Sequence, residues 1–447
     1  MNAPDPASHA ALPTHIGKYR VLERLGEGTT SEVFLCHDDF NNRRVAIKRV
    51  RAGTLAGADD GPLMARFFAA EAALVGRLQH PNVVQIYDAA PDPVQPYVVM
   101  EYVPGTTLRS YCRADALLPL DQVVEIGFKC AMALGYVSRQ GLIHRDVKPA
   151  NLLATVAGGV VTEVKISDFG SVLNLQSEAT QVFGVGSLAY MPPEQLDGST
   201  LDARADMYAL GAVLYHLIAG RPPFEATQQS VLMAQICTAT PPPLTGQRAG
   251  VEPALDAVVQ RALAKRPEDR FADWDAFADA LSALVANRQV PRGRLQDVLD
   301  SERFKLLRQL EFFASFDDVA LWEVVHRATW QRYPLGHRIY RVGEEGNTFH
   351  IIAAGAVDVH RDGLRVAHLG AGTSVGEMVY LAPNPELKRH STDVIVVDAA
   401  TTVSFTPEAM SRLSPAGRHL FDEAFIRVLV RRLHVAHEAL AHPRRIL

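Results

Sequence analysis

Hydrophobic periodicity changes repeatedly along this chain, and that order limits the folds open to it more than any single residue does. Residues 19–50 (YRVLERLGEGTTSEVFLCHDDFNNRRVAIKRV) alternate in a strand-like way around a glycine cluster, with Asn41-Asn42 offering a turn. Residues 64–79 (MARFFAAEAALVGRLQ) shift to helical spacing and stop before Pro81, which predicts one helix against that sheet. From 120 to about 284 the pattern is mainly helical, interrupted by the β-rich VVTEVKIS at 160–167. Between 330 and 405 short β-rich runs return with Gly-containing turns, which predicts a small β-roll or jelly-roll. FDEAFIRVLVRRLHVAHEAL then places Phe421, Phe425, Val428, Leu429, Leu433 and Val435 near one helical face, a helix expected to pack on the roll or on a partner. The polar stretch 285–303, broken by Pro291 and Gly293, reads as a linker. The class is therefore α+β: a β lobe, a helical lobe, and a separate β-roll with flanking helices.

Composition removes several functions. With 45 Lys+Arg against 50 Asp+Glu the net charge is −5, so no global pull toward nucleic acid or anionic lipid exists, and any anion site must be built locally. Cys36, Cys112, Cys130 and Cys237 form neither a disulfide framework nor a CxxC metal pair, and a reducing cytoplasm is the expected compartment. The first fifteen residues lack a basic region before an apolar run, so residues 1–18 read as a mobile tail and not a secretory signal; 438–447 read as a second tail. The apolar run from Ala209 to Ala219 is shorter than the roughly 20 residues that cross a bilayer, and reads as a core helix.

The charged motifs say more. LGEGTTSEVFL supplies Gly26 and Gly28, which let backbone approach phosphate oxygens, with Ser31 where a third glycine is usual. VAIK follows, ending at Lys48, and Glu71 lies within the apolar FFAAEAALV, where an unpaired carboxylate would be costly; pairing with Lys48 removes that cost. HRDVKPAN places Asp146 and Asn151 on one loop, followed by Leu152-Leu153 and then DFG at 168–170.

In this order the motifs resemble those of eukaryotic-type protein kinases, of the kind bacteria also carry, over residues 19–284, with an N-lobe at 19–100 and a C-lobe at 104–284. The resemblance implies a bilobal fold, ATP and Mg2+, and protein substrates phosphorylated on Ser or Thr. It implies that Lys48, aligned by Glu71, holds the α- and β-phosphates, that Asn151 and Asp168 bind metal, that Asp146 takes the acceptor proton, and that Lys148 neutralises the moving phosphoryl. It places Leu25, Gly26, Glu27 and Gly28 over the nucleotide, Val33, Ala46 and Leu153 against adenine, Met100 as gatekeeper, and the backbone of Glu101 to Val103 at the adenine edge. GSLAYMPPEQL resembles the end of an activation segment, with Pro192 where Ala is usual. Asp206 and Arg270 match a structural Asp and the Arg that pairs with Glu194. Among Ser171, Ser177, Thr180 and Ser187, Thr180 is the favoured phosphorylation site, its phosphate pairing with Arg145. The alternative reading is a pseudokinase scaffold.

Residues 304–437 resemble cyclic-nucleotide-binding domains. In that family a Gly-Glu opens a short helix under the cyclic phosphate, the Glu holds the ribose hydroxyl and an Arg neutralises the phosphate; the matching residues are Gly376, Glu377 and Arg389. Val375 replaces the usual Phe, the Glu to Arg interval is longer than usual, and His390 follows where a small residue is customary. Two readings stay open: a cyclic-nucleotide sensor, or an unliganded roll serving as an interaction or homodimerisation module. The last helix leaves no room for a DNA-binding helix pair, so a nucleic-acid partner is not expected.

Overall fold

Alternation over residues 15–50 becomes four antiparallel strands, β1 (His15–Ile16), β2 (Tyr19–Glu27), β3 (Ser31–Asp38) and β4 (Arg43–Val50). This computed structural model describes residues 12–28, 30–51, 61–91, 95–171, 173–174, 188–291, 299–382, 384 and 388–441. The chain divides into two units, residues 1–297 and 298–447.

In the first unit β5 (Ile86–Ala90) and β6 (Tyr97–Glu101) complete a six-stranded sheet ordered β1-β2-β3-β4-β6-β5. Its apolar residues Phe34, Val45, Ile47 and Val99 form one buried cluster. Helix α1 (Gly61–Ala72) ends earlier than the 64–79 periodicity predicts. Past it the N–H groups of Leu74, Val75 and Arg77 turn to oxygens three residues back, and Gly76, at φ +70°, donates to Ile86 O instead. Apolar spacing persists through Leu74 and Leu78, so periodicity alone does not register this end.

The lower lobe begins with β7 (Thr106–Thr107) and the 20-residue α2 (Leu120–Arg139), whose residues are almost all buried. Strands β8 (Leu142–Ile143), β9 (Leu152–Ala157), β10 (Val160–Ile166) and β11 (Leu173–Asn174) form two small sheets, ordered β10-β9-β7 and β11-β8. Helices α3 (Pro193–Leu196), α4 (Arg204–Ala219), α5 (Gln229–Thr238), α6 (Pro253–Ala262) and α7 (Trp274–Ala286) follow, and α2 packs on α4 and α7. The Ala209–Ala219 run lies within α4, whose Leu210, Val213, Leu214 and Leu217 are buried; among the described residues no helix is long and apolar enough to cross a membrane.

The second unit starts with α8 (Asp300–Gln309) and α9 (Asp318–Arg327), packed through Phe304 and Trp322. Strands β12 (Thr329–Tyr333), β13 (Arg338–Tyr340), β14 (Phe349–Arg361), β15 (Leu364–Gly370), β16 (Ser374–Val375) and β17 (Asp393–Phe405) form one antiparallel sheet, in which the long β14 and β17 pair with each other. Ile352, Val357, Val375, Val394 and Val396 fill it. Gly355 makes a bulge inside β14: φ is +79° and a Cβ there would lie 2.3 Å from Ala399 O. The short α10 (Glu377–Leu381), α11 (Pro407–Ser411) and the 27-residue α12 (Pro415–Ala441) complete the unit. Phe421 and Phe425 of α12 are buried against Phe349, Phe312 and Phe405. Leu433 and Val435, expected on the same packed face, are each 58% exposed. Periodicity defines a face, but a partner must be present along its whole length to cover it.

Candidate active site

The central strand β4 carries Lys48 between Val33 of β3 and Val98 of β6. Its ammonium lies 3.1 Å from both carboxylate oxygens of the buried Glu71 on α1 and 2.6 Å from Asp168 Oδ1. Three groups separated by long stretches of chain thus meet at one nitrogen. Burial opposes the charge on Lys48, but Asp168 and Glu71 outweigh it and hold its pKa above the usual range. Lys48 in turn holds the Asp168 carboxyl below its usual range, while burial pushes Glu71 up against the pull of Lys48.

A second group of charges is built on the loop after β8. Asp146 Oδ2 accepts from Lys148 Nζ at 2.7 Å and from Asn151 Nδ2 at 3.0 Å, and Asn151 Nδ2 also donates to Asp146 O at 2.9 Å. The loop is fixed from below. Buried Asp206 accepts from the N–H groups of His144 (2.7 Å) and Arg145 (2.8 Å), although burial pushes its own pKa up. That clamp holds Arg145 at φ +67°, and Asp168 has the same φ; such conformations cost a non-glycine residue about 1–3 kcal/mol and persist only where surroundings impose them. His144 Nε2 lies 3.1 Å from Ser167 O, an acceptor, so this nitrogen carries the proton, and Nδ1 accepts from Asp146 N–H. Buried Phe169 packs edge-on against the same imidazole.

Of these groups, Lys48, Glu71, Asp146 and Asp168 line one cleft of about 210 Å³, bounded also by Thr30, Ser31, Val50, Phe68, Val98 and Gly170. Above it, Gly28 N–H donates to Ser31 O across the turn between β2 and β3. A Cβ on Gly26 would meet no atom within 4 Å, so the protein's own packing does not demand glycine there; the open space suits a ligand approaching the backbone. Leu25 and Glu27 are exposed on β2, Val33 and Ala46 face neighbouring strands, Met100 pairs with Ala46, and Leu153 lies on β9 opposite Lys165. Glu101 ends β6 and leads into Val103. Glu194 and Arg270 form a buried bidentate pair at 2.6 and 2.8 Å. Thr180, Ser177 and Ser187 lie outside the described residues.

The candidate residues of the second unit have separate partners. Gly376 opens α10 at φ +83°, and a Cβ there would lie 2.5 Å from Tyr340 Oη. Glu377 is 1% exposed and accepts from Arg432 of α12, which also donates to Ser374 O. Arg389, mostly exposed, donates to Gly343 O at 2.8 Å and to Glu345. His390 stacks on Tyr340 with ring centroids 3.9 Å apart. Sequence reasoning did not find Arg432, because an Arg in a helix carries no spacing signal linking it to a glutamate 55 residues earlier. Lys165, 2.9 Å from Glu101, was missed because it reads as an ordinary basic residue in a strand.

The two-lobed unit, with its lysine, paired acids and clamped loop, defines a nucleotide-dependent phosphotransferase fold. The sequence profile described as Protein kinase domain matches residues 19–282, and that described as Cyclic nucleotide-binding domain matches 330–414. The chain belongs to the protein kinase family. It is 38% identical over 308 residues to the serine/threonine-protein kinase PknB of Mycolicibacterium smegmatis, covering 66% of this chain and 47% of that protein. It is 37% identical over 267 residues to PknB of Mycobacterium leprae (58% and 42%), and 34% identical over 282 residues to a probable PknB of Bifidobacterium longum (60% and 40%). The chain spans less than half the length of these relatives.

Proposed function

We propose that this chain is a protein kinase that transfers the γ-phosphoryl group of ATP to Ser and Thr hydroxyls of proteins in a reducing cytoplasm, with 19–284 as its catalytic domain and 304–437 as a domain that senses a cyclic nucleotide. The carrying observation is the convergence of Glu71 and Asp168 on Lys48 in the cleft that Asp146 also lines. That ion pair aligns Lys48 for nucleotide phosphates, as phosphoryl transfer requires.

The donor set fits a hard divalent cation. Asp168 supplies carboxylate oxygen, and because Asn151 spends its amide nitrogen on Asp146, its Oδ1 is the end left to face a metal. Mg2+ held there supplies charge neutralisation of the phosphates. Asp146, fixed by Lys148 and Asn151, orients the acceptor hydroxyl and takes its proton, while Lys148 stays within reach of the phosphoryl oxygens. The names of the relatives support Ser/Thr acceptors over Tyr.

For the second unit, the profile match and the Gly376-Glu377 helix start support cyclic-nucleotide binding, with Glu377 exchanging Arg432 for a ribose hydroxyl. Incubation with γ-labelled Mg-ATP and a mixture of Ser- and Thr-containing peptides tests the kinase; label on Ser/Thr is expected, and none on any acceptor refutes it. Calorimetry with cyclic AMP and cyclic GMP tests the sensor, and no heat with either refutes it.

A further inference from the structure

Strand β10 of the lower lobe is tied directly to the chain that enters β5 of the upper lobe. Val84 N–H donates to Ile166 O (2.8 Å), Ile166 N–H to Asn82 O (2.9 Å), and Asn82 Nδ2 to Val164 O (2.8 Å). Between these bonds β10 carries Lys165, 7% exposed, whose ammonium lies 2.9 Å from Glu101 Oε1. Glu163 is also near, at 3.4 Å, but its side chain is 40% exposed and its charge is screened by water. Glu101 is therefore the partner that makes a buried ammonium tolerable.

Glu101 is gripped from the other side as well. Its Oε2 accepts from Gln85 N–H at 3.3 Å, and its own N–H donates to Gln85 O at 2.8 Å. One carboxylate thus spans Gln85 above and Lys165 below, at the residue where β6 ends and the chain crosses between lobes. A peptide held at both its backbone and its side chain is ordered before ligand arrives, so binding loses less entropy. Neither Lys165 nor Gln85 lines the cleft with the charged groups described above, and the ion pair of Lys165 with Glu101 is its side-chain link to the crossing segment.

We propose that Lys165 is a positioning residue for nucleotide binding: through Glu101 it braces the crossing segment 101–103 in the geometry that receives the adenine edge. This rests on the kinase reading of the cleft. The test compares Mg-ATP affinity by calorimetry and initial rates for the full chain as wild type, Lys165→Met, Lys165→Arg and Glu101→Gln. Lys165→Met and Glu101→Gln each weaken Mg-ATP binding about tenfold, with kcat at saturation within about twofold. Lys165→Arg, which keeps the charge, returns affinity to within about threefold of wild type. Their double variant adds little beyond either single change, because both break one brace. Wild-type affinity in Lys165→Met, a fall in kcat without a change in affinity, or an equal loss in Lys165→Arg overturns the proposal. Should Lys165→Met fail to fold, Glu101→Gln decides, and unchanged affinity there overturns it. A wild-type chain that binds no nucleotide refutes the kinase reading itself.

Discussion

The two units treat their motif charges in opposite ways. In the first, each motif residue is partnered by another motif residue: Lys48 by Glu71 and Asp168, Asp146 by Lys148 and Asn151. In the second, Glu377 and Arg389 are partnered by residues outside the motif, Arg432 and Glu345. A site whose charges neutralise one another is assembled before its ligand arrives. A site whose charges are held by outsiders must exchange partners to bind, and its affinity is reduced by the free energy of that exchange. On the proposed function, the comparison separates a preformed candidate centre from a candidate ligand site held by Arg432 of α12.

The largest effect should fall on the preformed centre. Asp146→Asn is expected to lower phosphate transfer by about 100- to 10,000-fold while leaving Mg-ATP affinity near wild type, as removal of a general base does; a variant of unchanged rate would remove Asp146 from the chemistry. Next in size, Arg270→Met leaves Glu194 buried without its partner and should destabilise the first unit by about 3–5 kcal/mol in urea unfolding, as for broken buried pairs. A loss below about 1 kcal/mol would put this pair among the surface kind.

In the second unit the expected contrast is between two arginines. Arg432→Met strands the buried Glu377 carboxylate and should cost about 2–3 kcal/mol, less than a fully buried pair because the Arg side chain is 38% exposed. Below it in size comes a pH effect. Burial, aided by His390, pushes His350 down to about 4, and its Nδ1 lies 3.0 Å from Thr402 Oγ1 beside Tyr340. The unfolded His titrates near 6.5, so from there toward about 4 the unfolded chain binds a proton that the folded one refuses. The stability contributed by His350 is whole above that range and falls by about 2 kcal/mol at pH 5. In His350→Gln this part of the decline should vanish; an identical decline would assign it elsewhere. Smallest of all, Arg389→Ala breaks an exposed pair and should change stability by less than about 1 kcal/mol.

What was readable in the sequence follows the same division. Lys48, Glu71, Asp146, Asn151 and Asp168 stand out because one reaction demands those residue types together, so each makes the others interpretable. The strands within residues 19–50 were legible as alternation and the roll as short β-rich runs between glycines, whereas β5 and β6 were not read as strands. The end of α1 was not, because Gly76 turns the chain while Leu74 and Leu78 continue the apolar spacing. Nor was the exposure of Leu433 and Val435, since amphipathicity cannot report how far a covering surface extends. Arg432 and Lys165 act through contacts that only the folded chain creates, Arg432 across an interval with no periodic signature and Lys165 as an ordinary basic residue in a strand.

The most direct test of the account is calorimetric titration of the full chain with Mg-ATP, beside Lys48→Met. Saturable binding by the wild type, weakened at least tenfold in the variant, is the predicted result. Absence of binding by the wild type, or equal binding by both chains, would contradict the claim that Lys48, Glu71 and Asp168 form a preassembled phosphate site.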